Sequence, residues 1–265
     1  MQTEALKEAE LAHQYRVQVL VQLNHVELCT TGQQTRGNGA LTGADLDQME
    51  ESALLADALR PNLVQTVEGG PALVHGGPFA NIAHGNSSII ADRLALSLAD
   101  YVITEAGFGS EMGAEKAVHI KAVASGVPPD CIVLNATVRA MKLHGGGLGT
   151  SGGKRPDPVK VAEENVDAVK LGAATNLVRH VRNMKRFGCP VVVSVNRFDS
   201  DTEAEIQAIL DQATESGADA AVIFEGHQKG GAGGAELAAA VTDACQDHLA
   251  NGRPFHPLFE AGMPV

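Results

Sequence analysis

Residues 191–224 read VVVSVNRFDSDTEAEIQAILDQATESGADAAVIF, and this stretch settles the class of fold. Val191–Val195 is a run of β-branched residues, apolar along its whole length, as in a strand covered on both faces. Thr202 with Glu205 forms a capping box that predicts a helix over Glu203–Glu215, and Gly217 stands where a C′ glycine belongs. A second apolar strand follows at Ala220–Phe224. Strand, amphipathic helix and strand in this order mean parallel pairing through a right-handed crossover.

The same alternation extends outward in both directions. Further apolar strands are predicted at Leu63–Val67, Tyr101–Thr104 and Cys131–Val138, each bounded by Gly, Pro or Asp. Helices are predicted at Ser88–Leu98, Met112–Ala124, Val159–Leu171, Leu177–Phe187 and Glu236–Leu249. The expected fold class is therefore α/β, a mostly parallel, doubly wound sheet flanked by helices. Gly145–Pro158 is the longest irregular stretch within it. Residues 41–265 are expected to form this domain, opening with a helix from Thr42 that carries Asp45, Met49, Ala53, Leu54 and Ala58. Residues 1–40 are a poorly defined segment. Glu4–Leu23 suits a helix, yet Val17, Val19, Leu20, Val21 and Leu23 also suit a strand, and Thr30–Ala40 reads as a loop.

Composition narrows the function classes. The 265 residues are 44% hydrophobic and 20% charged, ordinary for a soluble globular chain. Aromatics make up only 3%, with no tryptophan, so the core must be Ala, Val, Ile and Leu. A net charge of −12 argues against nucleic-acid binding, because no basic stripe exists to neutralise phosphates. Cys29, Cys131, Cys189 and Cys245 have no metal-ligand spacing; Cys131 and Cys189 open apolar strands, where a cysteine is a small buried hydrophobe, and a reducing compartment is expected. No apolar run is long enough to span a membrane, and no signal-peptide pattern opens the chain. The expectation is a cytoplasmic protein.

In a doubly wound sheet ligands bind beyond the carboxyl ends of the strands, and here each strand ends in polar, charged or glycine residues. Pro71–Ser88 reads PALVHGGPFANIAHGNSS, a strand, glycine loop and capped helix that can aim N–H groups at an anion beside His75 and His84. It reads equally as a tight βα connection. Glu105, before Gly107 and Gly109, is placed either to hold Mg²⁺ or to cap the next helix. Arg139, Lys142 and Lys229 suit carboxylate or phosphate groups, or salt bridges along the rim. Asn196 can read a purine edge or make a turn; Phe198 can stack on a flat heterocycle or pack beneath its loop. No G-x-x-x-x-G-K-[ST] run occurs, so the usual phosphate cradle is not among these residues; the expected architecture is P-loop NTPase-like without the P-loop itself.

Several long strings together resemble one family. They are Arg60–Thr66 running through HGGPFANIAHG, Ala99–Gly109 with Gly113–Lys116, and Ala136–Gly146. Glu164-Asn165-Val166, Asn196-Arg197-Phe198 with Asp201–Glu205, and Lys229-Gly230-Gly231 with Gly233-Gly234 continue the series. These collinear matches, from about Leu41 to Pro264, are similar to the central portion of formate–tetrahydrofolate ligase. The resemblance implies ATP-dependent ligation of formate to tetrahydrofolate through formyl phosphate, with Mg²⁺, a monovalent cation and a homo-oligomer. By position, His84 resembles the histidine near formyl phosphate; His84 and Arg139 are the expected catalytic residues. Phe198 resembles one of two aromatics that sandwich the folate ring. The second should be a tryptophan, but His227 stands there, so weakened or altered folate binding is expected. Family members carry a phosphate-loop segment before the matched part and a further segment after it. The expectation is that a partner chain supplies that loop, or that the chain is a non-catalytic folate- or nucleotide-binding homologue or an interaction module.

Overall fold

The computed structural model describes residues 17–21, 57, 60–76, 83–148, 156–252, 254–259 and 263. The predicted helix after Thr42, the loop Thr30–Ala40 and the tip of the glycine loop lie largely outside these residues. Five strands form one parallel sheet: β1 (Val17–Val21), β4 (Tyr101–Glu105), β5 (Cys131–Ala136), β6 (Val191–Asn196) and β7 (Ala220–Phe224), in the order β4-β1-β5-β6-β7. For Val17–Val21 the strand reading is the one realised: its backbone lies between β4 and β5, with Val19 opposite Cys131. Two more strands, β2 (Asn62–Gln65) and β3 (Pro71–Val74), pair antiparallel as a separate hairpin.

That hairpin corrects one expectation. Leu63–Val67 is not a member of the parallel sheet. Its strand ends at Gln65, and Thr66 turns back through a bond from its N–H to the Gly70 carbonyl, 2.8 Å. Gly69 sits at φ +86°, so the chain reverses within a few residues. Every residue of β2 is exposed, which the two-sided cover of a central parallel strand would forbid.

The helices are α1 (Ile89–Leu98), α2 (110–125), α3 (Val138–His144), α4 (Pro158–Ala162), α5 (166–185), α6 (Glu203–Glu215) and α7 (Ala235–Ala250). Sequence and structure agree on α6 residue for residue, capping box included. The β5 strand is shorter than Cys131–Val138, because Thr137 leaves the sheet to cap α3, its Oγ1 accepting from Ala140 N–H at 3.1 Å. The predicted boundary between Val159–Leu171 and Leu177–Phe187 also moves. The break falls at Glu163, and Asn165 caps one continuous helix from 166 to 185.

Both faces of the sheet are covered. Ile132, Leu134, Val191, Val193 and Val195 pack with Val169, Leu177, Val181, Ile206 and Ile209 on one face. Cys131, Val133 and Val192 pack with Val241, Ala244 and Cys245 of α7 on the other. Period-2 alternation along β5 and β6 thus feeds two cores, which is why both strands read as continuous apolar runs.

A buried ion pair braces the connection after β5. Lys142 Nζ lies 2.8 Å from Glu205 Oε1, both side chains 0% exposed. It also donates to the carbonyls of Val161 (3.0 Å) and Glu163 (2.8 Å). Lys142 is therefore no ligand-binding residue on the rim: the chain after β5 is helical over Val138–His144, where no helix is predicted, and this helix points it inward. Burial alone would raise the Glu205 carboxyl. The Lys142 ammonium and the Asn165 and Thr202 N–H groups outweigh that and hold it below the usual range.

Candidate functional site

All strands of the main sheet run the same way, so their carboxyl ends share one rim. Glu105 closes β4 opposite Val21, and Asn196 closes β6 opposite Phe224. Arg139 stands in the first turn of α3, just past β5, and His227 and Lys229 follow β7 in the turn Gly226–Lys229. His84 joins them through its neighbours: Gly85 carbonyl accepts from Gly107 N–H at 2.8 Å, Asn86 bridges Ala106, and Lys116 Nζ donates to Ala83 carbonyl at 2.6 Å. His84, Glu105, Arg139, Asn196, Phe198, His227 and Lys229 therefore occupy one edge of the molecule. They form two groups, since β4 and β6 are three strand positions apart, about 14 Å at the usual spacing.

At the β4 end, Glu105 is exposed, yet partial desolvation raises its carboxyl above the ordinary range. Two residues later the loop does something the sequence did not disclose. Phe108 adopts φ +62°, the left-handed region, where a side chain with a Cβ is strained. Beside it the first turn of α2 packs tightly on the loop: a Cβ on Gly113 would lie 1.6 Å from the Gly107 carbonyl oxygen. That helix is wound wide, as π-helix over Ser110–Ala114 and Ala117–Lys121. Phe108 remains 37% exposed at the rim. The nearby Asn86 Nδ2 donates to the His84 carbonyl, while its Oδ1, like Ser110 Oγ, is buried without a protein partner.

The β6–β7 end is built around Phe198. Its N–H donates to Asp201 Oδ2 (2.9 Å), and its carbonyl accepts from Asp201 N–H (3.0 Å). This reciprocal pair fixes the loop while the ring stays 45% exposed. Burial pushes the Asp201 carboxyl up, with the Phe198 N–H pulling the other way. Glu225 pairs with Lys229, and Gln228 Nε2 donates to the Arg197 carbonyl at 3.1 Å. Lys229 thus has an acidic partner on the rim, whereas His227 is exposed.

The hairpin roofs the rim. At its root His75 Nδ1 lies 2.6 Å from Ser88 Oγ, the N-cap of α1, and Gly76 bridges Ser87. At its tip Glu68 Oε1 accepts from Gly231 N–H at 2.7 Å, just beyond β7. Glu68 and His75 are seven residues apart, about 23 Å of extended chain, and the β4–β7 width is about 19 Å. The hairpin is long enough to cross the whole edge. Between it, α1 and β4 lies a cavity of about 1490 Å³, lined by Leu73, His75, Asn86, Glu105, Phe108 and Arg139 among others. Ser88 caps α1 with its own hydroxyl, accepting from Ala91 N–H at 3.0 Å. One N–H of that helix end is thus satisfied by a side chain.

Sequence comparison decides what this rim belongs to. The family model described as formate–tetrahydrofolate ligase matches residues 12–265. The chain belongs to the formate–tetrahydrofolate ligase family. It is 50% identical over 214 residues to the formate–tetrahydrofolate ligase of Paracoccus denitrificans, covering 81% of this chain and 36% of that protein. Against the ligase of Desulforamulus reducens identity is 48% over 195 residues, 74% of this chain and 34% of that one. The ligase of Spinacia oleracea shows 49% over 210 residues, 78% and 33%. The chain thus spans about a third of the length of the curated relatives it matches.

Among the described residues no cluster of three or more His, Cys, Asp or Glu is arranged to hold a metal ion. Glu105 as a lone carboxylate still fits Mg²⁺, which takes one or two carboxylates and completes its shell with substrate phosphates and water. No described helix is long and apolar enough to cross a membrane. Two features escaped sequence reasoning. Phe108 between two glycines was the only local hint of backbone strain, and nothing local marked Glu68, whose partner lies 163 residues away.

Proposed function

We propose that this chain carries the folate and formyl-phosphate part of formate–tetrahydrofolate ligase chemistry, in the cytoplasm, with ATP, formate and tetrahydrofolate as substrates. The observation that carries the reading is the convergence of His84, Glu105, Arg139, Asn196 and Phe198 on one roofed edge, despite their distance in sequence. The β4 end takes the phosphorylated one-carbon acid and the β6–β7 end takes the pterin. Arg139 offers a planar cation to phosphate oxygens. Glu105 would hold Mg²⁺ together with nucleotide phosphates; the ion supplies charge neutralisation there. Attack of the substrate's N10 amine on the formyl carbon expels phosphate and leaves a proton to be removed, and His84 is the base at that end. Phe198 stacks on one face of the pterin with His227 on the other, and Asn196 and Lys229 meet its polar edge and the groups beyond. A monovalent cation and a homo-oligomer accompany this assignment.

The 265 residues contain no G-x-x-x-x-G-K-[ST] run, so the triphosphate cradle comes from polypeptide outside them, such as a partner chain. A second reading, a pocket that binds folate without activating formate, is favoured by His227 in the place of a larger aromatic. Calorimetric titration with tetrahydrofolate tests the shared core of both: Phe198→Ala is expected to weaken binding about tenfold or more, the scale of one lost stacked ring. Unchanged affinity would refute the pterin assignment. Formate-dependent ATP hydrolysis by the chain, alone or with the loop-bearing polypeptide, separates ligase from binding module.

A further inference from the structure

The contact at the tip of the hairpin has the form of a binding subsite filled from within. Glu68 does more than touch Gly231. A Cβ placed on Gly230 would lie 2.6 Å from Glu68 Oε1, and one on Gly231 would lie 2.5 Å from Oε2. Both carboxylate oxygens therefore rest where a Cβ on either residue would sit, so a side chain there would push the carboxylate aside. Gly230 is at φ +60°, which turns the Gly231 N–H toward the carboxylate, and that N–H donates at 2.7 Å. The cradle lies directly beyond β7, beside Lys229 and two residues past Gln228, which is bonded to the Phe198 loop. Glu68, Lys229, Gly230 and Gly231 are all exposed, so the contact is made in water and its net worth is small. A weak, solvent-exposed carboxylate contact at the mouth of a site is readily exchanged for another carboxylate.

We infer that the Gly230–Gly231 cradle is the seat for a carboxylate of the substrate's glutamyl tail, and that Glu68 is its internal stand-in, latching the hairpin across the rim until that carboxylate displaces it. This rests on the pterin reading of the β6–β7 end and extends it to the tail. Binding of a tailed ligand then requires the latch to open, and its apparent affinity is reduced by the fraction of molecules that are latched. A ligand without a carboxylate tail does not meet this competition.

Titrating the chain with tetrahydrofolate and with 6-methyltetrahydropterin, which lacks the tail, tests the inference. Glu68→Ala is expected to tighten tetrahydrofolate roughly three- to tenfold and to leave tetrahydropterin affinity within about twofold. Glu68→Gln, which keeps an acceptor but loses the charge, should fall between wild type and Glu68→Ala. In a Gly231→Ala background, where the cradle is filled against both carboxylates, Glu68→Ala should no longer tighten tetrahydrofolate. Hydrogen exchange at the Gly231 amide reports the latch itself and should speed up in Glu68→Ala. Equal effects on both ligands, or none on tetrahydrofolate while tetrahydropterin still binds, would overturn the cradle and leave the pterin site standing. If neither ligand binds any variant, the pterin reading fails and the cradle fails with it.

Discussion

Lys142→Met is the substitution whose cost can be worked from contacts already described. Lys142 is fully buried and gives hydrogen bonds to Glu205 Oε1 and to the Val161 and Glu163 carbonyls. Methionine fills much of the same volume but leaves Glu205 a buried carboxylate, with only Asn165 N–H (2.7 Å) and Thr202 N–H (3.3 Å) as donors. Removing one partner of a buried pair costs about 3–5 kcal/mol, because the other charge stays behind unpaired. For a chain of this size each kcal/mol moves Tm by about 2–4 °C, so a fall of roughly 6–20 °C is expected. Urea unfolding followed by circular dichroism gives the free energy, with an unchanged m-value showing that the transition itself is unaltered. The double variant Lys142→Met/Glu205→Leu removes both charges and should recover most of the loss. The sign with pH follows from the depressed Glu205 carboxyl. Its stabilising contribution is present above the unfolded value of about 4.3 and is lost as pH falls through the lower folded value, so the double variant should unfold less steeply in acid. A single variant costing less than about 1 kcal/mol, the ordinary effect of a point substitution, would refute this account. So would a double variant no more stable than the single.

Two further outcomes follow from the rim. Phe108→Gly removes a side chain held at φ +62° and should stabilise the fold by about 1 kcal/mol in the same urea experiment; a loss of stability would mean that the ring's packing outweighs the strain. His227→Trp restores a large aromatic face opposite Phe198 and should tighten tetrahydrofolate several-fold by calorimetry, since stacking on one aromatic is worth about 1–3 kcal/mol. Unchanged affinity would remove His227 from the pterin's second face.

The relation between sequence and structure differs sharply from one element to the next. The βαβ unit at 191–224 was legible because every signal in it is local: β-branched strands, a reciprocal cap and a C′ glycine all act within a few residues. The ends of β5 and β2 were misread for a local reason too, since an apolar residue beyond a strand looks like more strand until a cap or turn claims it. Thr137 and Gly69 do so here. Asn196, Phe198, Glu105 and Arg139 were identifiable as candidates because a parallel sheet delivers the residues after each strand to one edge. Lys142, four positions before Gly146, looks no different from them in sequence, and only the helix Val138–His144 turns it inward.

By itself the sequence determined the fold class, the family and the edge on which chemistry must collect, since periodicity, capping and motif spacing are properties of neighbouring residues. The tertiary structure alone decided which basic residue is buried in an ion pair, which loop residue is strained, and where the hairpin crosses the rim. Each of these depends on groups brought together from distant parts of the chain, as Glu68 and Gly231 are. Long-range contacts of this kind are fixed by packing geometry, and no pattern within a window of residues encodes them.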